Sequence, residues 1–309
     1  MMGALRVLRP GMLTTVQDLG RWGQQHLGVP VAGPMDWYSH RLANAILSNT
    51  PDAAALEITL IGPELVSDAE VVCATAGAEF EVVAGDRRIP ACEPFVLRAG
   101  ERLRFGARVR GTRATLAVSG GFATPAVMGS RATSLISRLG PFGGRALKVG
   151  DVLPVGMPAA VVRRHGGRPM LTPHGGARLR IVAGPHEARF GEQARSVFEK
   201  TRYLVTPDSN RMGYRLDGPR LQHAGGPEVL SDATPIGSVQ VPSSGCPILL
   251  MADRPTTGGY PRIGTVITAD LCIAGQLGPG DWIEFQACSR AAAVEALRRR
   301  EAALNGTVG

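Results

Sequence analysis

The chain has 309 residues, of which 44% are hydrophobic and 19% charged, with 40 glycines and 23 prolines. That length is long for one core and comfortable for two of about 150 residues each, and neither a collagen-like period nor a long disordered tract is present. The net charge of +8 is scattered rather than gathered in a stripe and aromatics are 5%, which argues against nucleic-acid binding, while the lack of a long apolar run argues against a membrane span, so that a cytoplasmic location is expected.

Lysine occurs only at Lys148 and Lys200, so 32 of the 34 basic residues are arginine, a side chain that grips carboxylates and phosphates but shuttles protons poorly. A lysine nucleophile is therefore not expected. The cysteines Cys73, Cys92, Cys246, Cys272 and Cys288 are far apart and form no C-x-x-C pair, and the six histidines fall singly. Reduced core thiols and no metal site follow.

Along the chain, Leu5-Arg6-Val7-Leu8 opens as a strand, and Asp36 stands where a helix N-cap is expected before Tyr38, Leu42, Ala45 and Ile46, the apolar stripe of an amphipathic helix. Turn signals follow at Thr50-Pro51-Asp52 and Gly62-Pro63-Glu64-Leu65, then a strand at Gly100-Glu101-Arg102-Leu103-Arg104-Phe105. The same plan recurs. Leu179-Arg180-Ile181-Val182, the stripe Phe190, Ala194, Val197 and Phe198, Thr206-Pro207-Asp208, Gly218-Pro219-Arg220-Leu221 and Gly280-Asp281-Trp282-Ile283-Glu284-Phe285 echo the first half in the same order.

The fold expected is therefore mostly β with a few helices, built as two related β-barrel domains over residues 1–165 and 166–309. The Gly-, Pro- and Arg-rich stretch 154–177 connects them, and Ser289 caps a last helix in the second. The first half carries a longer insert between its opening strand and its helix, roughly Thr14 to Met35, which makes that insert a candidate functional loop.

Four segments concentrate polar side chains among glycines. In TTVQDLGRWG, Thr15, Gln17, Asp18 and Arg21 alternate with apolar Val16 and Leu19, which reads either as a loop presenting donors and an acid, or as a tight turn. Asp36, in Gly33-Pro34-Met35-Asp36, reads as a cap. In Ser209-Asn210-Arg211-Met212-Gly213-Tyr214-Arg215, Arg211 and Arg215 stand four apart and suit a carboxylate or phosphate. Asp253-Arg254-Pro255-Thr256-Thr257-Gly258-Gly259-Tyr260 follows the apolar run Ile248 to Met251, so a buried strand feeds a loop in which Asp253 serves as a base or orients Arg254, and the glycines admit close approach of a ligand. This is the strongest local signal, with a merely decorative hairpin as the alternative reading. No G-x-x-x-x-G-K-[ST] or G-x-S-x-G motif occurs.

Taken together, PGMLTTVQDLGRWG (10–23), GVPVAGPMD (28–36), ALEITLIGP (55–63), LAVSGG (116–121), SNRMGYRLDGP (209–219), QVPSSGCPILLMADRPTTGGYP (240–261) and LGPGDWIEF (277–285) resemble the allophanate hydrolase subunit 2 family, whose members are also known as carboxyltransferase-domain proteins or as the C-type chain of 5-oxoprolinase. Ser130-Arg131-Ala132-Thr133 resembles a further family stretch, followed by a loosely matching loop.

The resemblance implies two tandem cyclophilin-like β-barrel subdomains and a subunit of an ATP-dependent amidohydrolase that opens 5-oxoproline to glutamate. ATP, with any Mg that accompanies it, is held either by this chain or by the complex. Implied partners are subunit 1, which is the B-type chain of 5-oxoprolinase, and the A-type chain of the same enzyme. A biotin-dependent carboxyltransferase, an allophanate- or urea-processing component, and a non-enzymatic regulatory partner of the subunit 1 protein stay open as alternatives. Within the matching motifs, Asp253 and Asp18 are the candidate catalytic residues. Thr15, Gln17, Arg21, Asn210, Arg211, Arg215, Gln240, Thr256, Thr257, Gly258, Gly259 and Tyr260 are the candidates for holding a small amide substrate.

Overall fold

The computed structural model describes residues 3–158, 169, 170 and 172–306. His165, the VRRHGG stretch and the 165/166 boundary lie outside the described residues. The chain is mostly β and clusters into two compact units, one of Met1–Arg21, Ala32–Thr172 and Glu301–Gly309, the other of Trp22–Val31 and Pro173–Arg300.

Unit 1 contains β1 (Ala4–Arg9), β2 (Leu13–Gln17), α1 (Trp37–Ile46), β3 (Ala55–Thr59), β4 (Glu64–Ser67), β5 (Val71–Ala84), β6 (Arg87–Ile89), β7 (Pro94–Leu97), β8 (Arg102–Val118), the short turn of helix α2 (Pro141–Gly144) and β9 (Val152–Pro154). Its nine strands form one curled sheet in the order β2-β3-β8-β4-β1-β9, with β5 joining β8 to β6 and β7. Three register shifts between Gly77 and Val82 bend the long β5/β8 ribbon, as bulges do. The concave side is apolar, with Leu5, Val16, Leu56, Ile58, Leu65, Leu103, Leu116 and Leu153 all at most 1% exposed.

The barrel expected here is an open one. On the free side of β2 the backbone partners come from a loop rather than a strand, since Thr133 N donates to Val16 O at 3.0 Å and Leu147 N to Thr14 O at 2.9 Å. A loop that supplies one bond at a time satisfies the edge without continuing the ladder.

Unit 2 contains β10 (Gly176–Ala183), α3 (Glu192–Lys200), β11 (Arg202–Val205), β12 (Gly213–Asp217), β13 (Asp232–Ala233), β14 (Ser238–Gln240), β15 (Ile248–Leu250), β16 (Thr257–Gly258), β17 (Arg262–Val266), α4 (Thr268–Gly275), β18 (Trp282–Ala287) and most of α5 (Arg290–Asn305). Seven strands close into a barrel in the order β10-β17-β14-β15-β12-β11-β18, the closing β18/β10 pair being parallel. Phe198 of α3 stacks on Phe285 of β18 at 4.6 Å, and Tyr203 packs beside both. β13 and β16 form a separate two-stranded sheet.

The helix signals place well. Asp36 caps α1 by accepting from Ser39 N at 3.0 Å and from Ser39 Oγ at 2.6 Å. Ser289 Oγ accepts from Ala292 N at 3.1 Å at the start of α5. One stripe residue is displaced: Phe190 precedes α3 and closes a 3-10 turn at Glu187–Arg189, although its side chain is buried as the stripe requires. Leu221, the counterpart of Leu65 in β4, is buried on irregular backbone. Among the described residues no helix is long and apolar enough to cross a membrane, and the five cysteines are free thiols. Burial pushes the Cys73 thiol up to about 12 and that of Cys92 to about 11, so both stay protonated.

Candidate functional site

Each unit carries its own cluster of buried polar groups. In unit 1 the cluster begins with strand alternation. Val16, Leu56, Ile58, Ala114 and Leu116 fill the apolar interior, so Thr15, Glu57 and Thr115 face the other side. The register places Thr15 opposite Glu57 and Glu57 opposite Thr115, one polar row across β2, β3 and β8. That row is buried, at 1%, 4% and 4% exposure, rather than solvated.

The residues before α1 help cover it, because Met35 N donates to Glu57 Oε2 at 2.7 Å. α1 packs on β3, β5 and β8 and buries His40 and Asn44 with its apolar side chains. Burial lowers the His40 pKa to about 4 despite the opposing pull of Asp18, so the ring is neutral near pH 7.

The four candidates of the TTVQDLGRWG segment then act together, and what they hold is a loop more than 100 residues away. Gln17 Nε2 donates to Thr15 Oγ1 at 3.0 Å and to Thr133 O at 3.1 Å. Asp18 accepts from Ser130 Oγ at 2.6 Å, Gly20 N at 2.9 Å and Arg131 N. Arg21, 1% exposed, donates to Val127 O at 2.8 Å and Ala132 O at 2.9 Å. The segment is a clamp on residues 127–134. Gln17 Oε1 of the clamp and Thr133 Oγ1 and Ser134 Oγ of the loop it holds are buried without a protein hydrogen-bond partner.

In unit 2, Arg211 and Asp253 meet side by side. Arg211 Nε donates to Asp253 Oδ2 and Nη2 to Asp253 Oδ1, both at 3.0 Å, and Asp253 N donates to Arg211 O at 2.8 Å. The structure does not bring the two arginines of SNRMGYR onto one ligand. Arg211 is buried, whereas Arg215 lies on β12 between buried Tyr214 and Leu216 and is exposed. The cause is local: Asn210 Oδ1 accepts from Met212 N at 2.8 Å, a turn that puts Arg211 outside the strand's alternation. Asn210, Thr257 and Tyr260 are exposed as well.

The rest of the Asp253 loop is held on the barrel by two arginines. Thr234 N donates to Thr256 O at 3.0 Å, and Thr234 Oγ1 donates to Pro255 O. Arg254 Nε donates to Thr234 O at 2.7 Å, while Arg262 Nη1 donates to Ala233 O and Nη2 reaches Asp232 Oδ2 at 2.6 Å. Gln240 and Arg262 are cross-strand partners in β14 and β17. Neither Gly258 nor Gly259 adopts a left-handed backbone. A Cβ on residue 258 would stand 2.5 Å from Gln240 Nε2, so a larger side chain there requires the Gln240 amide to shift.

Several of these residues were not singled out from sequence. Glu57 and Thr115 were detectable, since each is a polar residue between apolar neighbours in a strand. Ser134, Thr234, Arg262 and the placement of Arg254 carry no comparable signal, because their partners are far along the chain. Among the described residues no group of three or more His, Cys, Asp or Glu side chains is arranged to hold a metal ion.

Comparison with known proteins adds the family context. The family of the carboxyltransferase domain, subdomain A and B, matches residues 27–287. The chain is 38% identical over 293 residues to the C-type chain of 5-oxoprolinase from Escherichia coli (strain K12), covering 94% of each. It is 34% identical over 287 residues to the C-type chain of 5-oxoprolinase from Haemophilus influenzae, covering 93% of this chain and 92% of that one. Among solved structures, Kluyveromyces lactis urea carboxylase is similar with a TM-score of 0.93 at 32% identity, over 98% of this chain and 29% of that one. The chain thus spans less than a third of that structure.

Proposed function

From the premise that the chain belongs to the family of the carboxyltransferase domain, subdomain A and B, we propose that it is the C-type subunit of an ATP-dependent 5-oxoprolinase, a hydrolase that opens a small cyclic amide. The observation that carries this is similarity at 38% identity with 94% coverage in both directions, so that no large part of either chain is left over. The partners are the B-type chain (subunit 1) and the A-type chain, in the cytoplasm. The two halves, 1–165 and 166–309, are cyclophilin-like subdomains of which the first is open.

Within that reading, the clamped loop of unit 1, with Thr15, Gln17, Asp18 and Arg21 behind it, offers neutral groups to the amide. In unit 2, Asp253, Arg211, Gln240 and residues 256–260 form a separate, alternative candidate site for the amide, with Asn210, Arg215 and Tyr260 at its exposed surroundings. The guanidinium groups of Arg21, Arg211 and Arg262 are engaged by carbonyls and carboxylates, which leaves Arg215 and Arg254 in this region, too little positive charge for a nucleoside triphosphate with Mg. ATP is accordingly assigned to the complex rather than to this chain.

The test is co-expression with the B- and A-type chains and an assay of 5-oxoproline-dependent ATP hydrolysis. Turnover that requires all three chains is expected; none with all three assembled overturns the reading. The TM-score of 0.93 to a urea carboxylase favours one second reading, a carboxyltransferase acting on urea or a related amide. Transfer from a carboxylated biotin carrier to urea, in place of 5-oxoproline turnover, identifies it.

A further inference from the structure

Three arginines surround the Asp253 loop, and among the described residues two of them pair with a carboxylate. Arg211 is spent on Asp253, and Arg262 on Asp232. Among the described residues the Arg254 guanidinium makes a single hydrogen bond, from Nε to the Thr234 carbonyl at 2.7 Å, and meets no carboxylate. The two terminal nitrogens of its guanidinium, the edge that binds a carboxylate side by side, are left over. Burial pushes the Arg254 pKa below the ordinary guanidinium value, and the charge of Asp253 offsets this only in part.

A second donor lies nearby with the same deficit. Gln240, 4% exposed, has its Nε2 buried without a hydrogen-bond partner. It packs in the space where a side chain on residue 258 would stand, and that same space borders Thr234, the residue Arg254 holds. A cation short of a counter-charge and an amide N–H short of an acceptor therefore share one short piece of barrel rim. Both are unfavourable when desolvated and unanswered, and both are answered by oxygen atoms carrying negative charge.

We infer that Arg254 and Gln240 form a subsite for the carboxylate of a small organic anion. The inference rests on the reading above insofar as it identifies this anion with the carboxylate of 5-oxoproline. One planar guanidinium and one amide match a monoanionic carboxylate; a phosphate dianion calls for more positive charge than a single surplus arginine supplies. Arg254 takes the role that spacing alone assigned to Arg211 and Arg215. Arg211 and Asp253 become the support that fixes the loop.

The test is titration of the full chain with 5-oxoproline, with 2-pyrrolidinone, which has the same ring and no carboxylate, and with inorganic phosphate, read by calorimetry and by the side-chain NMR signals of Arg254. 5-Oxoproline is expected to bind and to shift the Arg254 signals. Arg254→Gln should weaken it at least tenfold and Gln240→Leu severalfold, while any binding of 2-pyrrolidinone is unchanged by either. Where a variant does not fold, the wild-type Arg254 signals carry the test. Wild-type affinity in folded Arg254→Gln, 5-oxoproline binding that leaves the Arg254 signals in place, binding of phosphate alone, or no binding of any probe at millimolar concentration each overturns the subsite. In the assembled complex, turnover with an unchanged KM in Arg254→Gln removes the subsite and leaves the functional reading. Carboxylate binding at Arg254 without any turnover removes the functional reading and leaves the subsite.

Discussion

Arg211 and Asp253 are joined twice, through two parallel side-chain bonds of 3.0 Å and through a 2.8 Å bond from the Asp253 amide to the Arg211 carbonyl, with side chains 4% and 1% exposed. A pair this deep ties the turn after β11 to the loop after β15. Breaking it from one side strands a buried charge. Arg211→Ala or Asp253→Ala should therefore cost about 3–5 kcal/mol, whereas replacing both by apolar residues of similar volume should cost much less. Urea unfolding of the two single variants and the double variant checks this, and a double variant no more stable than the singles refutes it.

Asp18 is predicted to matter through shape. Asp18→Asn keeps the size but places an amide donor where the carboxylate accepts from Ser130 Oγ, Gly20 N and Arg131 N. The cost should be about 2–3 kcal/mol for the N–H and O–H groups left unanswered. Protease cleavage within residues 127–134 should become faster in the same variant, as measured by mass spectrometry of timed digests.

His40 makes the fold sensitive to acid. Its folded value of about 4 lies below the ordinary 6.5, so between those values the unfolded chain binds a proton that the folded chain refuses. Stability from this group is complete above pH 6.5 and is lost as pH falls, by up to about 1.4 kcal/mol per pH unit, until the folded value is reached. Urea midpoints measured from pH 7 to pH 4 should fall less steeply in a folded His40→Gln variant; equal slopes would count against the assignment.

The two adjacent glycines should respond differently. A Cβ on Gly258 meets Gln240 Nε2 at 2.5 Å, while one on Gly259 finds its nearest neighbours at 3.4 Å. Gly258→Ala should cost about 1–3 kcal/mol and Gly259→Ala about 0.5 kcal/mol or less. Thermal melts of the two variants, side by side, decide it.

What could be read in advance depended on how far each cause reaches along the chain. The Asp36 and Ser289 caps act over three residues, and the α1 stripe over eight, so all were legible. The β-rich class followed from composition. The role of Asp18 was not legible, because its partner Ser130 is 112 positions away and nothing near Asp18 separates a clamp from a catalytic acid. Arg254 was hidden for a related reason: all three loop arginines look alike in sequence, and only pairing with Asp253 and Asp232 shows which one remains. The open first sheet was equally out of reach, since a loop amide on the edge of β2 leaves no periodic pattern.

The division into units bears on how the protein is made. Unit 1 begins at the N-terminus yet includes the stretch from Glu301 onward, where Glu301 grips Arg41 of α1 at 2.6 and 2.8 Å; unit 2 includes Trp22–Val31. During synthesis, the first unit to leave the ribosome cannot be finished until the 128 residues 173–300 have also been translated. Its curled sheet must wait with α1 lacking this last anchor, and no single cut in the chain releases either unit whole.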